Sequence, residues 1–376
     1  MSQEARDLGD ASVPSRVSAE SAGEAPPPMT GTTDRPGAQL GVTVVICAYT
    51  ERRWPQTRAA LESALGQHPA PRQVLLVVDH NPALAQLAAQ ELTDTPVDVL
   101  ESTGSPGLSG ARNTGLAAAS QPVTAFLDDD AEARPGWLEY LVAPYSATSV
   151  MATGGSVHPR WPQEGSRPRW LPPEFDWVVG CSYRGLPEAT ETVRNPIGAS
   201  MSLRTDVALA VGGFDDAVGR VGSDQRGCEE TELAIRLTGS QPGSVILYVP
   251  ASVVDHHVAP ERVKVGYFVR RCWREGLSKA DVVRLVGSSA GLQRERRHTA
   301  IILPTALIRD LGSLVTGDVG GGGRMIATFA GLSTAAAGYL VGRVRLAVTG
   351  AETHGPHPLR GSRQQIMSAS ARSPQD

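Results

Sequence analysis

The 376 residues include 35 Lys and Arg against 39 Asp and Glu, with 41% hydrophobic and 20% charged side chains and a formal net charge of −4. The length exceeds a single small module, since one core stops growing at about 250–300 residues, and the balanced charge gives no footprint of a dedicated nucleic-acid binder. Cys47, Cys181, Cys228 and Cys272 form no CxxC pair, so neither a zinc site nor a disulfide framework is expected, and a reducing compartment fits.

Residues 1–40 are rich in Ser, Ala, Glu, Pro, Gly and Arg, and no apolar signal stretch precedes the first hydrophobic run. The reading is a disordered leader on a cytosolic chain. The pattern changes at Val42–Ala48, a β-branched run of the kind buried on both faces of a parallel sheet. A helix is expected over Arg58–Leu65, a strand over Val74–Val78 ending at Asp79, and a helix over Pro82–Leu92. A short strand at Val97–Leu100, a helix at Gly110–Ala119 and a strong strand at Val123–Leu127 complete the alternation. Alternating strands and helices predict right-handed βαβ units, with ligands outside the carboxyl ends of the strands.

Beyond Trp137 the pattern loosens. His158–Phe175, with its Pro, Arg and Trp, reads as a long loop. Strands are expected at Ala199–Leu203 and Val245–Val249, with a helix over Glu229–Leu237 between them. Residues 261–297 are basic and helical in character, and apolar helices follow at Thr299–Leu314 and Met325–Val341. Each falls short of the ~20 residues of a bilayer span, so helices lying on a membrane, or a docked pair, are preferred over true spans. The chain therefore divides into a leader (1–40), a catalytic domain (41–260), a basic helical, membrane-associated extension (261–350) and a disordered tail (351–376).

The sharpest chemical feature is Asp128-Asp129-Asp130 at the tip of an apolar strand. Clustered carboxylates repel one another unless a cation or donors compensate them, and Mg²⁺ or Mn²⁺ suits such a strand end. The competing reading, of equal weight on these residues alone, has Asp130 capping a helix at Ala131–Ala133. Asp79 suits a nucleobase or ribose, although alone it reads more readily as a turn residue. Gly107–Gly115 opens a helix with glycines and brings Arg112 and Asn113 together, as an anion site would require.

These residues carry a resemblance. Val44–Glu51, Asp79, the Gly-x-x-x-Ala-Arg-Asn-x-Gly loop and the triple-Asp tip stand in the order of family 2 glycosyltransferases of the GT-A fold. Asn195–Arg204, Gly212-Gly213-Phe214-Asp215 and Cys228–Leu237 continue the similarity, which spans Val42–His257. It implies an α/β GT-A (Rossmann-like) mixed sheet flanked by helices, with a C-terminal helical extension. It also implies an inverting transfer from a nucleotide-diphosphate sugar to a hydroxyl acceptor, and Mg²⁺ or Mn²⁺ as cofactor.

The base position matches Glu230, with Glu229 as the competing candidate. Donor contacts fall on Ala48, Tyr49, Glu51, Asp79, Arg112, Asn113, Asp128 and Asp129, and metal ligation on Asp128, Asp130 and His256. Acceptor contacts fall on Trp161, Trp170, Trp177, Gly198 and Ala199, although these tryptophans serve equally well as packing at the domain edge. Glu232 and Arg236, spaced i,i+4, read as a helix ion pair. The overall pattern is similar to prokaryotic transferases that act on dolichyl or polyprenyl phosphate sugars. That implies a glycan or lipid-linked acceptor, a position at the inner face of the plasma membrane, and no nucleic-acid partner. A catalytically silent sugar-nucleotide-binding protein and a nucleotidyltransferase are the alternatives. The second lacks its expected basic Gly-rich loop, since Ala48-Tyr49-Thr50-Glu51 follows the first strand.

Overall fold

The first strand, β1 (Val42–Ala48), has every side chain buried except that of Cys47, as its unbroken apolar run requires. A computed structural model describes residues 40–162, 166–216, 229–286 and 298–348. The leader up to residue 39, the tail, Cys228 and the basic residues 287–297 lie outside the described residues.

From β1 the chain passes through α1 (Trp54–Leu65), β2 (Gln73–Val78), α2 (Pro82–Glu91), β3 (Val97–Glu101), α3 (Leu108–Ala118) and β4 (Val123–Asp128). Asn81 caps α2 by accepting the Leu84 N–H at 3.1 Å, and Pro82 occupies the first turn, where its missing N–H costs nothing. Then come β5 (Ala131–Ala133), α4 (Trp137–Val142), β6 (Val150–Arg160), β7 (Glu191–Val193), β8 (Ser200–Arg204) and α5 (Thr205–Ala210). The last elements are α6 (Glu229–Gly239), β9 (Val245–His257), α7 (Val265–Val286), α8 (Leu303–Val315) and α9 (Val319–Val348).

The nine strands among the described residues form one sheet in the order β3-β2-β1-β4-β8-β6-β9-β5, with β7 also paired to β9. The β3-β2-β1-β4 block is parallel, whereas β8 runs antiparallel to both β4 and β6. The chain leaves β3 on one side of β1 and returns as β4 on the other, so the topological switch lies between β1 and β4. The period-two alternation of the strands divides the core. Val44, Ile46, Leu76 and Leu127 face α1, α2 and α4, while Val45, Leu75 and Phe126 face α3, α5 and α6.

Four expectations change. The first helix begins at Trp54, not Arg58, because Arg53 and Trp54 already lie at its entry. Ala131–Ala133 is not a helix capped by Asp130 but a strand, held antiparallel to β9 with Ala131 opposite His256. His158 and Arg160 belong to β6, so the loop starts later than the composition suggested, and Pro173–Val179 within it is a 3₁₀ segment. The final helix is not short: α9 has 30 residues, about 45 Å of helix, and is long and apolar enough to cross a membrane. One face of it is nonetheless packed, since Gly331, Gly338 and Gly342 lie against Phe175 and α7.

A third apolar cluster, Leu171, Phe175, Val178, Phe268, Cys272, Leu303 and Ala327, joins the 3₁₀ segment to α7, α8 and α9. The charges inside the apolar α8 are also explained by this docking. Asp310 is fully buried and accepts from Arg324 of α9 at 2.8 Å, and Arg309 donates to Glu174 at 2.6 Å.

Candidate active site

The carboxyl end of β4 delivers Asp128, and the turn into β5 carries Asp129 and Asp130. Because β5 pairs with the end of β9, Asp130 Oδ1 is brought within 3.2 Å of His256 Nε2. One ligand atom from each of Asp128, Asp130 and His256 lies within 4.8 Å of the others. Two carboxylates and an imidazole suit a divalent cation that retains waters, with Mn²⁺ more tolerant of the nitrogen than Mg²⁺. Asp129 Oδ2 is buried without a hydrogen-bond partner, which also fits a site that takes up positive charge.

Two arginines that the motifs did not flag hold this cluster. Arg53, at the entry to α1, reaches Asp129 at 2.8 Å and Asp130 at 3.1 Å, and stacks over Tyr49. Arg262 lies 3.8 Å from Asp130 and 3.5 Å from His256. Burial alone would raise the Asp130 carboxyl, but His256, Arg262 and Arg53 outweigh it and hold it below its usual range. Asp129 moves the other way, pushed up to about 7 by burial and then by the neighbouring Asp130 charge.

Arg112, on α3, is 2% exposed and forms the hub of the site. It donates to Glu230 Oε1 at 3.1 Å, to Asp128 Oδ1 at 3.4 Å and to the Gly198 carbonyl at 3.2 Å, and lies 3.6 Å from Glu229. Within the chain its partners are thus carboxylates and a backbone carbonyl, and it lines the same cavity as Asp128. Gly198 is needed for space: a Cβ there would fall 2.0 Å from Glu230 Oε1. Asn113 is turned away, exchanging hydrogen bonds with the Phe214 backbone at 2.8 Å in both directions.

At the ends of β1 and β2, Ala48 is buried, Tyr49 is exposed, and Asn81 donates to Glu51 at 3.0 Å. Asp79 accepts the Gly107 N–H at 3.0 Å, and Gly107 has φ 122°, a conformation open to glycine but not to larger residues. The Glu232–Arg236 ion pair forms as the spacing predicted.

A cavity of about 410 Å³ opens over Asp128, His256 and Glu230. Trp177, Gly198 and Ala199 line it, whereas Trp161 and Trp170 do not. Trp161 stacks under Arg167, and Trp170 meets Phe268 edge-on at 5.5 Å. Tyr183, Tyr248, Arg262, Arg271 and Lys279 also line the cavity and carried no local motif. Only the basic character of residues 261–297 pointed toward the last three.

The family described as glycosyl transferase family 2 matches residues 43–210. The chain is 34% identical over 242 residues to the glucosyl-dolichyl phosphate glucuronosyltransferase of Haloferax volcanii, covering 64% of this chain and 76% of that one. It is 26% identical over 255 residues to the succinoglycan biosynthesis protein ExoM of Rhizobium meliloti, covering 64% and 74%. Among solved structures, a mannosyltransferase from Pyrobaculum calidifontis in complex with GDP-Man and Mn²⁺ superposes with a TM-score of 0.51 at 19% identity, over 84% of this chain and 89% of that one. That likeness shows the fold: the mixed sheet, flanking helices and C-terminal helical region are those of a GT-A glycosyltransferase.

Proposed function

The chain belongs to glycosyl transferase family 2 and is a glycosyltransferase, and from that premise we propose that it is an inverting, metal-dependent enzyme. Its donor is a nucleotide-diphosphate sugar and its acceptor a hydroxyl of a polyprenyl-linked glycan. The observation that carries this reading is that one cavity is lined by both Asp128 with His256 and Glu230, with Arg112 bonded to Asp128 and Glu230 alike.

Asp128, Asp130 and His256 are the residues that would hold Mg²⁺ or Mn²⁺. When bound, that ion supplies charge neutralisation of the departing diphosphate. Glu230 acts as general base: it takes the acceptor hydroxyl proton as the new C1–O bond forms, while the bond to the diphosphate breaks and its electron pair leaves with the nucleotide. Arg112 fixes the Glu230 carboxylate, and Gly198 leaves room for it. Glu229 is fully buried beside Arg112 and does not line the cavity, which favours Glu230 as base. The nucleotide is assigned to Asp79, Tyr49 and Glu51, which stand at or just beyond the carboxyl ends of β1 and β2.

The relative from Haloferax volcanii, by its name, acts on a glucosyl-dolichyl phosphate, which supports a lipid-linked acceptor here. Exposed apolar side chains on α8 and α9, including Ile308, Val315, Ile326 and Phe329, support a position against the membrane. Nearby basic residues add on the order of 1 kcal/mol each at an anionic leaflet, and the inner face of the plasma membrane is proposed as the location. The test is incubation with Mn²⁺ or Mg²⁺ and a panel of nucleotide sugars. One donor should release nucleoside diphosphate, faster when polyprenyl-linked glycan is added. Release from none, or pyrophosphate-dependent exchange, would overturn the reading.

A further inference from the structure

Each acid at the tip of β4 has one carboxylate oxygen held by an arginine. Arg112 donates to Asp128 Oδ1 at 3.4 Å, and Arg53 donates to Asp129 Oδ1 at 2.8 Å. Asp130 Oδ2 lies 3.1 Å from Arg53 and 3.8 Å from Arg262, while its Oδ1 turns to His256 Nε2 at 3.2 Å. Asp128 and Asp130 join His256 in a group able to hold a metal ion, and Asp129, which stands between them in sequence, does not. Its side chain is 6% exposed, its Oδ2 has no hydrogen-bond partner, and Arg53 is the only cation paired with it among the described residues. Asp130 Oδ2 is also faced by Arg262, so Asp129 is the carboxylate that depends on Arg53 alone. Arg53 is itself held in place. Thr57 Oγ1 donates to its carbonyl at 3.1 Å, and its guanidinium lies 5.3 Å from the centre of the Tyr49 ring. The helix that follows it, α1, is tied to β5 beyond the acids: Ser63 Oγ accepts the Ala133 N–H at 2.9 Å, and Gln67 donates to the Arg134 carbonyl at 3.2 Å.

We propose that Arg53 sets the cation selectivity of the site by withholding Asp129 from it. With Asp129 held back, the chain offers carboxylate oxygens from Asp128 and Asp130 only, together with one imidazole nitrogen. Ca²⁺ takes roughly six to eight oxygen ligands and accepts bidentate carboxylates, so a donor set poor in oxygen and containing nitrogen disfavours it relative to Mn²⁺. Released from Arg53, the Asp129 carboxylate would supply the missing oxygens, since its Oδ2 already lacks a partner. Arg53 is thus a positioning residue, acting through a carboxylate rather than on the substrate. The inference rests on the reading that Asp128, Asp130 and His256 take a divalent cation.

The test measures Mn²⁺ and Ca²⁺ affinities of the full chain in detergent by isothermal titration, without donor or acceptor, and reads their ratio. Both ions carry the same charge, so the loss of a nearby positive charge or of folded protein cancels in that ratio, whereas a change in the available oxygens does not. Wild type should prefer Mn²⁺ by about tenfold or more, and Arg53→Gln should reduce that preference by about tenfold. Adding Asp129→Asn to Arg53→Gln should restore the preference to within about threefold of wild type, because the released carboxylate is then gone. Asp129→Asn alone should also stay within about threefold of wild type. That variant removes a buried charge without stranding one, so it tests the proposal where Arg53→Gln fails to fold. An unchanged preference in folded Arg53→Gln, or a preference lost in Asp129→Asn alone, overturns the proposal and leaves the metal set standing. Mn²⁺ affinity unchanged by His256→Ala would instead remove the metal set, and the proposal with it.

Discussion

Replacing Arg112 by methionine, which keeps much of its volume and removes its charge, should destabilise the protein far more than a surface substitution. The side chain is 2% exposed and lies within 3.1–3.6 Å of Glu230, Asp128 and Glu229, the last of which is fully buried. Breaking a buried ion pair by removing one partner costs about 3–5 kcal/mol, because the remaining charge stays desolvated. At roughly 2–4 °C per kcal/mol for a domain of this size, Tm should fall by about 6–20 °C. Calorimetry of Arg112→Met, Glu230→Gln and the double variant completes the cycle. Removing Glu230's charge should relieve part of the loss, with a coupling energy of about 0.5–3 kcal/mol. If Arg112→Met melts within 2 °C of wild type, or the two substitutions simply add, Arg112 is not the electrostatic hub and a role facing solvent or donor phosphate replaces it.

Saturating Mn²⁺ at about 100 times its Kd should stabilise the wild type by about 2.7 kcal/mol, a rise of roughly 5–10 °C in Tm. Asp130→Asn and His256→Ala should each abolish that rise, and a rise that survives either variant removes these residues from the metal set. Burial pushes the Cys47 and Cys272 thiols up to about 12 and raises Cys181 well above its ordinary value, so all three stay protonated and unreactive at pH 8. In a Cys228→Ser background, a thiol reagent should therefore label the native protein slowly and the denatured protein at all three positions; rapid native labelling contradicts this. Asp310→Ala removes the buried carboxylate that Arg309 and Arg324 share at the α8–α9 contact, leaving Arg309 only Glu174 and Arg324 only Asp318 as acidic partners. Hydrogen exchange in α8 and α9 should accelerate at least tenfold while the sheet is unaffected, and equal protection throughout would show that the latch contributes nothing.

The strands of the parallel block were legible because burial on both faces demands unbroken apolar runs, and β1, β2 and β4 are such runs. The strand-end acids were legible for the same reason: an apolar strand that stops at Asp128 exposes its chemistry at a known edge of the sheet. β5 was not, since three residues leave no periodicity to read and only pairing with β9 makes Ala131–Ala133 extended. The true length of α9 was hidden by its glycines, which are poor helix formers in isolation but let α7 and Phe175 approach. Arg53 and Arg262 escaped because neither belongs to a motif. Each reaches Asp130 only once α1 and the segment after β9 are folded against the tip of β4. Arg112 was found, but its bond to Glu230 was not, because sequence cannot reveal that a residue 118 positions away closes on it.

The general base carries the account, so the most direct measurement is the single-turnover rate of sugar transfer by Glu230→Gln with donor and metal saturating. General-base removal predicts a fall of about 10²–10⁴-fold, with nucleoside diphosphate affinity unchanged and Glu229→Gln less affected. A Glu230→Gln rate within threefold of wild type would contradict the assignment of Glu230 and with it the chemistry proposed for the site.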